Sequence, residues 1–478
     1  MLKVLFNRSA GLLLLLPAIL LSATATIDFS KTHQTIDGFG GSSAWSGALS
    51  DATMDALYKN GTGQIGLTIL RLRIDPHAAW ADEKSNATKA KARGATVFAT
   101  PWAYPESLTT NNATVKGYIN TAKFASVAAY LKRVWTYYGE ANVDIMSVEN
   151  EPDWAQSITY EGCTWTAQNF LDFCKTYAPQ VGKPIMMPES MNYNLTLSDA
   201  TLNDPTAAAN VTYIGGHFYG GTPTKKYTLA INQNKHMWET EHYLTGDGAS
   251  TCMNVAKEIM DCLNNLDFNA YVWWWMTYDA SDGICSGSTP NHRGWVIGQF
   301  SKWVRPGYVR VDATYSPQSG VNVVAFKGAG MNVIVAMNSS SSSQSVTFAI
   351  TNSTASTATV TKYTSSQSKN GADDGAMTVS NNSFTATLDG QCVSTFVWGT
   401  PSSVEPRYEI NEQKAAEKQL RPFSTSDGTS DFLYQVNGKR LSISSINQAR
   451  SQASGIFVMP GYIQVGNGSV KSLNVFKK

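Results

Sequence analysis

Most of the signatures that would send this sequence elsewhere are missing. No G-x-G-x-x-G turn and no P-loop marks a phosphate site. Beyond Leu21 no segment approaches the roughly 18 unbroken apolar residues of a membrane helix, so the mature chain is expected to be soluble. Charge is sparse, at 15% of residues, and 37 Lys and Arg against 36 Asp and Glu leave a net +1. That balance demands neither nucleic acid nor an anionic surface as partner. Basic residues cluster nowhere in the first 400 positions in a way that would track a phosphate backbone. The cysteines, at 163, 174, 252, 262, 285 and 392, include no C-x2-C pair. His217, His236 and His242 do not form a helical H-x3-H pair, so neither a metal nor another cofactor is implied.

What is present starts with an export signal over 1–25. Lys3 and Arg8 precede an apolar run from Leu12 to Leu21, and Ala23-Thr24-Ala25 is an A-x-A cleavage motif. The protein is therefore expected outside the cell, free or attached to its surface. In that compartment an even number of cysteines permits disulfides, and Cys252 with Cys285 is the preferred pair. The 13 tryptophans and 21 tyrosines supply flat faces suited to sugar rings, although most large aromatics are core.

At 478 residues the chain is too long for one core. Strand-like runs at 36–45, 67–74, 95–102, 143–151, 184–190, 211–219, 235–243 and 269–277 alternate with helical patterns. The clearest of these patterns is Thr121 to Ala141, with Phe124, Ala128, Leu131, Val134 and Trp135 on one face; Trp165 to Tyr177 and Asn254 to Leu266 are others. Eight strands separated by helices over 36–305 predict a (β/α)8 barrel, an α/β fold. A doubly wound sheet is the rival, and it lacks its phosphate turn. Residues 306–400 alternate apolar and polar between Gly and Asn turns, which predicts an antiparallel β-sandwich, joined by a strand from 26–35. A polar linker over 401–431 leads to 432–478, which carries six Lys or Arg and no Asp or Glu. This last stretch reads as a small basic β module, either a surface-attachment or sorting tail or a solvated appendage. A monomer is expected.

Two glutamates carry the chemistry. Glu151, in Asn150-Glu-Pro152, and Glu241, in Thr240-Glu-His242, end the fourth and seventh strands, and strand ends of a barrel converge on one face. Paired carboxylates there suit glycosidic cleavage, in which one protonates the leaving oxygen and the other captures or stabilises the sugar cation. Asn150 lies beside the bond to be cleaved. Glu239, two residues deeper, is expected to pair with Arg71 or Arg73. The plain alternatives are a turn with an exposed glutamate and an internal ion-pair network.

These residues also carry a resemblance. Gln34-Thr-Ile-Asp-Gly-Phe-Gly-Gly41, Leu70-Arg-Leu-Arg-Ile-Asp-Pro76, Thr100-Pro-Trp102, Asn150-Glu-Pro152, Gly216-His-Phe-Tyr-Gly220, Thr240-Glu-His-Tyr243, Tyr271-Val-Trp-Trp274 and Val304-Arg-Pro-Gly307 resemble glycoside hydrolase family 30. The likeness is strongest to its bacterial xylanase branch, subfamily 8, and runs in order from about residue 28 to 400. It implies a barrel with a side β-sandwich and retaining hydrolysis of xylan, with Glu151 as acid/base and Glu241 as nucleophile. It also implies substrate contacts from Trp102, Tyr219, Tyr243, Trp274, Arg73 and His217, with Asn150 on the sugar 2-hydroxyl.

One departure stands out. Glucuronoxylan-specific members carry an arginine shortly after Tyr-Val-Trp-Trp, whereas this chain has Tyr278 there, with Asp279 and Asp282 alongside. Carboxylates without a cation repel glucuronate. Arg293 is a candidate to swing in, although it matches a different family arginine. The expectation is an endo-1,4-β-xylanase that does not require glucuronate. A glucuronoxylan-specific endoxylanase, a xylobiohydrolase, a β-1,6-glucanase and a non-catalytic carbohydrate-binding surface protein are the alternatives.

Overall fold

The computed structural model describes residues 22–277, 281–353 and 359–400, and the backbone of 433–435, 458–459 and 462–464. The chain divides into two units, Met1–Tyr408 and Glu409–Lys478. The described part of the second is a three-stranded antiparallel sheet of Leu433–Gln435, Tyr462–Gln464 and Val458–Met459. The proposed leader and linker fall outside the described residues, apart from the first positions of a strand treated below.

Eight parallel strands close into a barrel: β2 (Gly38–Ser42), β3 (Ile69–Ile74), β4 (Thr96–Pro101), β5 (Ile145–Ser147), β6 (Ile185–Ser190), β7 (Tyr213–His217), β8 (His236–His242) and β9 (Ala270–Trp275). They lie within the eight runs read from the sequence, most of them shorter at both ends, while Ile69–Ile74 and Ile185–Ser190 keep the expected carboxyl ends. Alternate side chains fill the barrel floor, where Ile69, Phe98, Ile145, Met186, Tyr213, Trp238, Ala270 and Val272 form a closed apolar cluster. Three of the five residues of β2 are glycine, and the approach of its neighbour shows why at Gly40. A Cβ on Gly40 would lie 2.3 Å from the Ile69 carbonyl oxygen.

The helices follow the predicted faces. Helix α1 (Phe124–Tyr138) buries Phe124, Ala128, Leu131, Val134 and Trp135, and stops at Gly139, whose φ of +109° suits glycine. Asn120 caps the 3-10 turn ahead of it, so α1 begins three residues after Thr121. Helix α2 (Ala167–Thr176) opens on a capping box between Thr166 and Asn169. Helix α3 (Ala249–Asn265) starts five residues ahead of the predicted Asn254.

A nine-stranded sheet joins β1 (Ala23–Thr35) to eight later strands. Of the eight pairings between its strands seven are antiparallel, and in the eighth β1 runs parallel to Gln344–Thr351. Phe348 and Phe396 lie on strands far apart in the sheet order, yet their rings are 5.0 Å apart. The sheet therefore folds back on itself as a sandwich. Strand β1 starts at Ala23, earlier than expected, because Ala25, Ile27 and Phe29 alternate into the sandwich core. The A-x-A motif thus lies within a strand. The sandwich packs on α3 and on helix α4 (His292–Ser301), with Trp303 stacked on Tyr363 at 4.2 Å and Gln299 donating to Ser365 at 2.8 Å.

The cysteines correct an expectation. All six are buried free thiols. Cys252 Sγ faces the Asp247 carbonyl at 3.7 Å and Cys285 Sγ the Gly287 carbonyl at 3.4 Å, so the Cys252–Cys285 bridge is not formed. Burial pushes these two thiols up to about 12 and about 11, which removes the thiolate that exchange chemistry needs.

Candidate active site

Strand β5 leaves its ladder early. Its backbone still holds both neighbours: the Asn150 N–H donates to the Pro101 carbonyl and the Glu151 N–H to that of Glu189, each at 2.9 Å. Glu151 and Glu189 both have left-handed backbones, with φ of +45° and +48°. For a side chain with a Cβ this costs about 1–3 kcal/mol, and such strain collects at functional sites. The turn after Glu151 is thus set by its own φ as well as by Pro152.

Strand β8 carries a bulge between Glu239 and Glu241, two residues facing one step on β7. Glu239 accepts from the backbone N–H groups of Glu241 at 2.8 Å and Val272 at 3.1 Å. Its predicted pairing with Arg71 or Arg73 is therefore wrong; burial and then Glu258 push its carboxyl well up, against those two backbone bonds. It braces the strand beneath Glu241.

Arg71, fully buried on β3, is the hub. Its guanidinium donates to Glu241, pairs with Glu189 at 3.0 Å and donates to Asn150 Oδ1 at 2.6 Å. It also lies 4.4 Å from the centroid of Trp102. Tyr219 donates to Glu241 at 2.8 Å. His217 Nδ1 is 2.9 Å from Glu151, while its Nε2 is 3.7 Å from Glu189 and 4.0 Å from Glu241. One carboxylate oxygen of Glu151, one of Glu241 and a nitrogen of His217 all lie within 4.8 Å of one another.

These contacts sort the protons. Burial raises Glu151; the His217 hydrogen bond opposes this and the Glu241 charge adds to it, leaving the carboxyl above its ordinary value. Burial would also raise Glu189, but Arg71 and His217 outweigh it and hold the group at about 2. Burial disfavours the His217 cation, yet Glu241, Glu151 and Glu189 together lift it to about 10. Arg71 and His217 thus set two positive groups against the carboxyls of Glu151, Glu189 and Glu241. Glu151, His217 and Glu241 could geometrically reach one metal ion. A protonated His217 and the Arg71 guanidinium put positive charge where that ion would sit, which suits a proton-transfer site instead.

Sequence reasoning missed Glu189, although it lies at the carboxyl end of a strand-like run, as Glu151 does. We expect Glu189→Gln to lower kcat/KM by about 10²-fold through a misplaced Arg71. It should also move the alkaline limb of the pH profile to lower pH, since a lost negative charge favours ionised Glu151. A pH–rate profile with an unmoved limb would remove Glu189 from the proton balance.

Above this floor lies a cleft of about 480 Å³. Glu151, Glu241, Trp102, Tyr219, Tyr243 and Trp274 line it, as anticipated; Trp45, Trp154, Tyr160, Met191 and Trp275 were not anticipated. Asn150 and His217 are buried in its floor. Arg73 does not line it: the side chain pairs with Glu161 and with Asp75 at 2.9 Å, and backs Trp45 at 4.7 Å. Tyr278 and Asp279 lie outside the described residues. Asp282 is half-buried, its side chain accepting from Ser281 at 3.1 Å and Thr245 at 3.4 Å. Arg293 cannot swing in, because it is fully buried and donates to the carbonyls of Leu244, Ser281 and Gly283 at 2.6–2.7 Å.

A closed parallel barrel with two such carboxylates at its strand ends, under an aromatic cleft, defines a glycoside hydrolase. No family model matches the chain. Glucuronoxylanase XynC of Bacillus subtilis (strain 168) is 35% identical over 398 residues, which is 79% of this chain and 92% of that protein. The crystal structure of the family 30 subfamily 8 xylanase Xyn30A from Clostridium acetobutylicum matches with a TM-score of 0.75 and 46% identity, covering 79% of this chain and all of that one. A family 30 endoxylanase from Clostridium papyrosolvens C71 matches with a TM-score of 0.73 and 36% identity over the same shares. The chain belongs to glycoside hydrolase family 30, subfamily 8.

Proposed function

We propose that this protein is an exported, retaining endo-1,4-β-xylanase, with Glu151 as acid/base and Glu241 as nucleophile. The observation that carries this reading is the approach of their carboxylate oxygens to within 4.8 Å. Retaining enzymes hold the two carboxyls ~5–5.5 Å apart, whereas inverting ones leave room for water at ~6.5–9.5 Å. Arg71 and Tyr219 hold Glu241 for attack on the anomeric carbon, and burial raises the Glu151 carboxyl, which favours the proton it would give the leaving oxygen. Esterification of Glu241 removes a charge that raises Glu151, so Glu151 becomes the better base for the second step. Aromatic lining on both sides of the carboxylates favours cleavage within a chain. The leader-like segment 1–25 supports export.

Glucuronate is not required in this reading. The expected arginine is replaced by Tyr278, and Arg293 is committed to backbone carbonyls. Initial rates on glucuronoxylan, arabinoxylan and unsubstituted xylan should agree within about tenfold, a gap worth ~1.4 kcal/mol. Activity confined to glucuronoxylan would sink this part of the proposal.

A further inference from the structure

Helix α3 follows the strand that carries Glu241, and it places a carboxylate where few are found. Glu258 is only 8% exposed, and among the described residues no lysine or arginine pairs with it. Burying a carboxylate is costly unless hydrogen bonds replace the water it loses. Three segments supply them here. His242 Nδ1, on the residue after Glu241 in β8, lies 2.8 Å from Glu258 Oε1. Tyr271 of β9 donates its hydroxyl to the same oxygen at 2.8 Å. Thr222, on the loop after β7, donates to Oε2 at 3.5 Å.

Two of these segments frame Tyr219. It precedes Thr222 on the same loop, and its ring meets that of His242 edge-on, with centroids 5.2 Å apart at an interplanar angle of 68°. The Tyr219 hydroxyl donates to Glu241 Oε1, while Arg71 donates to Oε2. Among the described residues Tyr219 is therefore the only hydrogen-bond donor to Oε1. Helix α3 is itself anchored on the side of the sandwich. Asp261, one turn beyond Glu258, accepts from the Tyr315 hydroxyl at 2.5 Å and from Lys257 at 2.6 Å. Glu258 thus ties the surroundings of the nucleophile to a helix that the sandwich holds in place.

We propose that Glu258 is a positioning residue for the nucleophile: through His242 it fixes the Tyr219 ring, and with it the hydrogen bond that orients the Glu241 carboxylate. The proposal rests on the reading of Glu241 as nucleophile. Glu258 does not line the cleft, so it acts without touching the sugar. An O–H···O bond is good only over roughly 2.5–3.0 Å, and a ring that tilts by a small angle carries its hydroxyl out of that range. Without Glu258, His242 loses its polar anchor and the edge contact that sets the tilt of Tyr219. A misaimed Glu241 is felt as its bond to the anomeric carbon forms, and substrate binding is left as it was.

The test measures initial rates of the full chain on unsubstituted xylan, with a thermal midpoint for each sample. Glu258→Ala should lower kcat by about 10- to 100-fold, with KM within about threefold of the wild type. Glu258→Gln keeps the length and an acceptor oxygen, and should recover most of that loss. Tyr219→Phe removes the hydroxyl and should lower kcat on the same scale. Adding Glu258→Ala to Tyr219→Phe should then change kcat by less than about threefold, because the two act through one link. Should Glu258→Ala fail to fold, His242→Ala breaks the same link and carries the same cycle. Losses that multiply in the double variant, or wild-type kcat in a folded alanine variant, would overturn the positioning role and leave the xylanase reading intact. Absence of cleavage by the wild type would instead overturn the xylanase reading, and this role with it.

Discussion

Glu241→Gln is expected to abolish xylan cleavage, with kcat falling on the order of 10⁴-fold or more, the scale seen when a nucleophile is removed. Glutamine keeps the volume and can still touch Arg71 and Tyr219, so the fold should survive while the anionic oxygen is gone. The variant leaves Arg71 and His217 facing Glu189 alone among ionised carboxylates. That surplus positive charge should lower the Glu151 carboxyl and remove acid catalysis too. The measurement is reducing-sugar release from xylan beside thermal unfolding of the same sample. A stable variant with more than about a hundredth of wild-type activity would refute the nucleophile assignment.

Glu151→Ala should produce a different pattern. General acid catalysis contributes about 10²–10⁴-fold, so xylan, whose leaving alkoxide is strongly basic, should lose roughly 10³-fold in kcat/KM. An activated aryl xylobioside needs little protonation and should lose far less at the first step. Its glycosyl-enzyme should then accumulate, because no base activates water. Azide needs no base and should restore turnover, giving a glycosyl azide of retained configuration. The alkaline limb carries its own sign: Glu151 must be protonated, its value is raised by burial, and wild-type activity should fall as pH rises through it. The limb should vanish in the variant. Equal losses on xylan and on the activated substrate would show that Glu151 is not the acid.

Much of this was legible beforehand because repetitive structure leaves periodic traces. All eight barrel strands were placed from short apolar runs. Asn150-Glu-Pro152 and Thr240-Glu-His242 marked both carboxylates at strand ends. The mistakes share a cause. The A-x-A motif points to a strand that begins at residue 26, whereas Ala25 already alternates with Ile27 and Phe29 into the sandwich core. The resemblance puts Arg73 on substrate, and the pattern leaves Glu239 to either Arg71 or Arg73, because alternation along one strand cannot tell which neighbour each arginine meets. A cystine was expected from proximity of loops, but the thiols point at carbonyls within their own segments.

The sequence by itself determined the barrel, the trailing sandwich and the two glutamates, since each is written in a local pattern of a few residues. Only the tertiary structure decided what state those glutamates are in. Arg71 and Glu241 are 170 residues apart in the chain and share a charge-assisted hydrogen bond. Glu189 and His217 complete a balance that exists only once β3, β6, β7 and β8 close around one axis. Protonation depends on burial and on the nearest charges, and those are properties of the closed barrel rather than of any stretch of chain.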